Sequence, residues 1–174
     1  GKKIAKEIIK KSRSSNKTYL NGTFAAFSKR IYLKYNKIPS YKELYGKSKF
    51  DSPEGFNSYY QLQKIKKYKK LVNKIKYDVT IWKFLNIYII FLPDEVCIDY
   101  YLLTKKIFNN SLVISYCRYL RGYIPSKRLL KEGGYGAGEE IHFFGLPSKF
   151  EIKTEQNIIK TLRFFKKDKF FFNI

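Results

Sequence analysis

The chain has 174 residues, 44% of them hydrophobic and 18% aromatic, which is enough apolar material for one core of ordinary domain size. Its 36 Lys and Arg against 14 Asp and Glu give a formal net charge of +22; a field of that sign draws nucleic acid, an anionic membrane surface or an acidic protein neighbour. Two cysteines without metal-site spacing exclude a disulfide scaffold, and the longest apolar run, 85–93, is too short for a bilayer-spanning helix of about 20 residues, so a soluble single domain is expected.

Residues 3–13 place Ile4, Ile8 and Ile9 on one face among lysines, the pattern of an amphipathic helix that stops at the polar cluster 12–16. From 23 to 35, Phe, Ile, Tyr and Leu residues mix with basic ones and no helix breaker intervenes, which predicts a strand with Phe27, Ile31 and Leu33 facing inward. Pro39 and Ser40 open a short helix that runs through Leu44 to Gly46, and 47–53 reads as a loop.

A longer helix is predicted between 53 and 76, because Leu62, Ile65, Tyr68, Leu71, Val72 and Ile75 recur at helical spacing. Lys64, Lys66, Lys67, Lys69, Lys70, Lys74 and Lys76 occupy the positions between them with no acid present, making this the most basic face in the chain. That face reads either as a solvated helix exterior or as a contact for phosphates, on RNA or at a membrane surface.

Residues 79–82 and 85–92 read as strands, the second so uniformly apolar that burial on both faces is expected. Pro93 and Asp94 end it. A helix over 95–107, a strand over 111–120, a Gly- and Pro-punctuated loop over 122–138 and a closing helix near 155–165 complete the chain. Strands alternating with helices give an α/β or α+β class, with mixed sheet layers covered by helices. Cys97 and Cys117 read as core residues. Asn-x-Ser/Thr triplets begin at Asn16, Asn21 and Asn109, and such triplets arise often by chance in an Asn-rich chain. The start at Gly1 with no apolar leader suggests a processed chain or a fragment.

The residues that suggest chemistry fall in three pieces: Leu92-Pro93-Asp94-Glu95-Val96, Gly122-Tyr123-Ile124-Pro125-Ser126 and Glu132-Gly133-Gly134-Tyr135. In this order and spacing they resemble the back half of the catalytic domain of the neutral ceramidases, whose members carry Leu-Pro-Gly-Glu-Val, then Gly-Tyr-x-Pro-Thr, then Glu-Gly-Gly-Tyr-Glu. The match is strongest over 79–135, and it makes the whole chain look like the C-terminal part of such a domain.

That resemblance implies a zinc ion with Glu95 as carboxylate ligand, Tyr123 as phenolate ligand and Tyr135 contacting the scissile amide of a ceramide-like lipid. The family's two zinc histidines lie in the front half of its domain, so the resemblance also implies an N-terminal half or partner chain that supplies them. Asp94 stands where the family has glycine, and Gly136 where it has glutamate. His142, the chain's single histidine, is expected to be structural or at the surface. The other reading of the chain is a small basic RNA-binding protein, such as an organellar ribosomal or other ribonucleoprotein component, from an AT-rich genome.

Overall fold

The computed structural model describes residues 1–14 and 20–167, so the triplet that begins at Asn16 lies outside the described residues. The elements run α1 (Lys2–Ser12), β1 (Phe24–Lys34), α2 (Tyr41–Lys47), α3 (Pro53–Tyr68), β2 (Lys74–Phe84), β3 (Ile87–Pro93), β4 (Glu95–Val96), α4 (Ile98–Ile107), β5 (Ser111–Cys117), β6 (Tyr123–Ile124), α5 (Lys127–Glu132), a 3₁₀ turn (Tyr135–Ala137), α6 (Ile141–Phe144) and α7 (Thr154–Lys167). A four-stranded mixed sheet has the order β1-β2-β3-β5, and β4 and β6 form a separate parallel pair. The fold is of the mixed helix-and-sheet class expected.

Alternation places the strands. β1 and β2 pair antiparallel over their whole lengths, Phe24 opposite Phe84 and Lys34 opposite Lys74. A tight turn at Leu85, with φ 58°, returns the chain into β3, whereas the apolar run had predicted Leu85 inside the strand. The α4 crossover then brings β5 alongside β3 in parallel.

Inward-facing Leu33, Tyr77, Val79, Ile81, Ile90 and Leu92 are all fully buried. Phe27 and Ile31 pack against that cluster, as their spacing predicted. Two helices cover this inner face: α4 lies along β5, and α7 packs on β1, β2 and α4. On α7 the buried residues Ile158, Leu162 and Phe165 recur at the i, i+4, i+7 spacing of one helical stripe. Tyr77 and Tyr100 place their rings in the same core, and each donates its hydroxyl to a carbonyl, of Pro93 at 3.0 Å and of Pro125 at 3.1 Å.

The helix predicted over 53–76 ends early. Lys69 adopts a left-handed conformation (φ 65°) and caps α3, and β2 begins at Lys74. Lys74 to Phe84 is rich in β-branched and aromatic residues, and pairing with β1 along its eleven positions outweighs the apparent helical period. The buried face of α3 is also polar rather than apolar. Asn57 donates to the Leu146 carbonyl at 2.9 Å, and Gln61 donates to Asn57 Oδ1 and to the Gly145 carbonyl, both at 2.9 Å.

Gly145, at φ 62°, sits under the Tyr60 ring, where an added Cβ would come within 2.8 Å of the ring. Cys97 and Cys117 are half-buried free thiols rather than full core residues. The strand predicted over 111–120 ends at Cys117, because Tyr116 and Arg118 turn the chain with φ of 57° and 68°.

Candidate functional site: a carboxylate between two phenols

Pro93 delivers the chain to Asp94, which takes a left-handed conformation (φ 64°) and swings the backbone out of β3 into β4. Glu95 therefore opens a two-residue strand and not the helix predicted from 95. Its partner in the parallel β4–β6 register is Tyr123. The Glu95 amide also donates to the Gly122 carbonyl at 3.1 Å. The 122–138 segment, read as a loop, thus contains β6, α5 and the 3₁₀ turn, each set by contacts with β4 or its neighbours.

The neighbouring Glu95 carboxylate raises the pKa of the Tyr123 phenol. The same carboxylate acts on Tyr116, at the end of β5, and pushes its phenol up to about 12. The Tyr123 ring meets the Tyr135 ring edge to face at 5.8 Å, and Tyr135 in turn lies 6.2 Å from Phe143. Gly136 makes this packing possible, since a Cβ there would stand 3.2 Å from the Tyr123 ring. Glu95, Tyr123 and Tyr135, singled out in the sequence as three separate pieces, are gathered into one cluster.

Asp94 does not enter the cluster. It is 1% exposed and turned toward Arg121, taking 2.7 Å from the Arg121 amide, 3.1 Å from Nε and 2.6 Å from Nη2. Arg121 also donates to the Lys76 carbonyl at 3.1 Å. This pair, its carboxylate buried and its guanidinium partly exposed, holds the kink that presents Glu95.

Two members of the neighbourhood were not singled out in the sequence. Tyr116 is one; its outward position on β5 follows from strand alternation, but its approach to Glu95 requires the β3–β5 register, in which Pro93 lies opposite Cys117. Glu140 is the other. It is 2% exposed, one carboxylate oxygen has no hydrogen-bond partner, burial raises its pKa, and its charge is felt at Tyr123.

His142 lies apart from Glu95, half-buried beside an open cleft of about 550 Å³ shared with Glu54, Asn57 and Gln61. Among the described residues no three His, Cys, Asp or Glu side chains converge as a metal site. Glu95 and Tyr123 alone supply fewer donors than the three protein ligands that a catalytic zinc takes. No chemical step through a metal can be derived from this chain's residues alone.

The basic residues form no single helical face. Lys64, Lys66 and Lys67 lie on the last turns of α3, Lys69 and Lys70 in the turn after it, and Lys74 at the start of β2. Lys64 is held by the Gly145 carbonyl at 3.1 Å and lies over the Tyr60 ring at 4.1 Å. Lys67 sits over Tyr68 at 5.2 Å and Lys74 over Tyr32 at 4.4 Å. Comparison with protein-family models, with curated proteins and with solved structures finds no match to the chain.

Proposed function

We propose that the chain is the back half of a zinc amidohydrolase resembling the neutral ceramidases, which becomes competent only when a second polypeptide or segment supplies two histidines. The observation that carries this reading is the pairing of Glu95 with Tyr123 in one register, with Tyr135 ring-to-ring against Tyr123. The kink at Asp94 supports it further. A left-handed backbone is what glycine adopts freely and what aspartate tolerates better than most residues, so the kink at Asp94 is one that a glycine at this position would also permit.

A bound zinc would polarise the amide carbonyl and lower the pKa of a coordinated water. This chain's own contribution is to orient the donors. Glu95 is fixed by the β4–β6 pair beside two phenols, and Tyr135, half-exposed, presents a hydroxyl toward a substrate carbonyl. Tyr123 must lose its proton to bind as phenolate, and Glu95 opposes that loss. Zinc retention is accordingly expected to rise with pH.

The test is reconstitution with the polypeptide encoded directly upstream. Zinc is expected to co-purify with the complex and to be lost in Glu95→Gln and Tyr123→Phe. Tyr135→Phe should keep the metal and lower hydrolysis of an N-acyl sphingoid base by about 100-fold, the cost of one oxyanion donor. Absence of zinc from a formed complex would sink the reading.

A second reading draws on a different surface. Exposed Tyr32 and Tyr68 each carry a lysine ammonium over the ring, close to Lys66, Lys69 and Lys70, and rings interleaved with cations suit unpaired RNA bases and their phosphates. This predicts RNA affinity that falls steeply with salt and weakens when Lys69 and Lys70 are replaced by glutamine. Indifference to polyuridine at physiological salt would remove it.

A further inference from the structure

The outer face of the four-stranded sheet is apolar and open. Its rows read across the strands as Phe24–Phe84–Ile87, then Ala26–Trp82–Ile89–Leu112, then Ser28–Thr80–Phe91–Ile114. Trp82 is 49% exposed, Leu112 54% and Ile114 40%, with Phe91 stacked at a tilt 4.6 Å from the Trp82 ring. Among the described residues the helices that pack closely on the sheet, α4 and α7, cover the opposite face. Parallel strands are normally covered on both sides, and β3 and β5 are a parallel pair whose outward residues are as apolar as their inward ones. Contiguous apolar surface on this scale marks an interaction site.

Charge narrows the occupant. Beyond the apolar rows the same face continues into Arg30 opposite Asp78, Tyr32 opposite Lys76 and Lys34 opposite Lys74. Asp78 is shared between Arg30 at 2.7 Å and Arg118 at 2.9 Å, which leaves the edge net positive. A second copy of a +22 chain would bring like charge onto that edge, whereas carboxylates would complement it. Continuity decides the rest. The strip along β5 runs Leu112, Ile114, Tyr116, and the same end of β5 is tied to β4 by the Val96 amide, which donates to Ser115 Oγ at 3.1 Å. Whatever sits on this face ends beside the Glu95–Tyr123 pair.

We infer that the outer face of the sheet is the docking surface for a partner polypeptide layer, apolar at its centre and acidic at its edge. This layer is the same partner that completes the Glu95–Tyr123 site. The partner's identity rests on the proposed function; the docking surface rests on the sheet.

Trp82 is the chain's single tryptophan, so its emission reports on this face alone. The full chain is titrated with the polypeptide encoded directly upstream, with Trp82 emission, acrylamide quenching and bound zinc measured together. A blue shift with protection from quenching is expected. Leu112→Lys combined with Ile114→Lys should weaken association by about tenfold or more. Both replaced residues are exposed, so circular dichroism of the double variant should match the parent.

A Trp82 shift without zinc keeps the docking surface and removes the zinc reading. Zinc retention with Trp82 unmoved keeps the zinc reading and overturns the docking surface, as does a response in neither signal. A concentration-dependent Trp82 shift in the chain alone, with dimers in sedimentation, would assign the face to a second copy. A shift produced by phosphatidylserine-containing vesicles alone would assign it to lipid. Either result overturns the proposal.

Discussion

The two faces of the sheet are made by the same strands and carry nearly the same residue types, yet they have opposite fates. On the inner face Ile81 and Ile90 are fully buried beneath α4 and α7; on the outer face Trp82 and Leu112 keep about half of their surface in contact with solvent. Apolar character therefore does not distinguish core from interface in this chain. Whether another element of the fold lies over the residue does.

The comparison is broken most directly by truncation. Ile90→Ala removes a buried side chain between sheet and helices and should destabilise by about 4 kcal/mol, whereas Leu112→Ala should cost under about 0.5 kcal/mol. Urea midpoints of the isolated chain measure both. Equal losses would mean that the outer face is already covered.

The same contrast holds for the two buried aspartates. Asp94 has Arg121 as its only cationic partner among the described residues, and Arg121→Met should cost about 3 kcal/mol by leaving a carboxylate buried and unpaired. Asp78 sits at the exposed face with two arginines. Arg30→Met leaves Arg118 in place and should cost no more than about 1 kcal/mol. If the two variants are equally destabilised, the Asp94 kink is not the structural pivot described here.

The smallest expected effect is at Tyr116. Its folded pKa of about 12 lies above the ordinary value of 10, so the folded chain holds the phenolic proton more tightly than the unfolded one. The stability lent by the Glu95 carboxylate is present below pH 10 and is lost as pH rises toward 12. Glu95→Gln should bring the ultraviolet titration of Tyr116 and Tyr123 down toward the ordinary range. An unchanged titration would place both phenols away from Glu95.

The parts of the fold that could be read locally were those whose signal is periodic. Alternation in 23–35 identified β1 and its inward residues, the Pro39-Ser40 start identified α2 with Ser40 as its capping residue, and Ile158 with Leu162 on one stripe marks the helix predicted near 155–165 as α7. The reading failed where two periods fit one stretch. Leu71, Val72 and Ile75 satisfy a helical spacing, but once β1 is available as a partner the strand wins, and the supposed lysine face is divided among a helix end, a turn and a strand.

For the candidate site, the identities of Glu95, Tyr123 and Tyr135 were legible as motifs, each on a different segment. Their meeting was not. It depends on the β4–β6 register, on the left-handed turn at Asp94 and on the missing Cβ of Gly136, none of which leaves a periodic trace. Tyr116 and Glu140 had no local signal, because the partners that define them lie far along the chain.

By itself, the sequence determined the helix-and-sheet class, the inward face of β1, and the residues worth watching, since each of these follows from near-neighbour chemistry. Only the tertiary structure decided that Glu95 lies between two phenols, that Asp94 is bound by Arg121, and that one apolar face of the sheet is buried while the other is open. Those facts are set by which distant segments pair and which layer covers them, and pairing and coverage are properties of the folded chain as a whole.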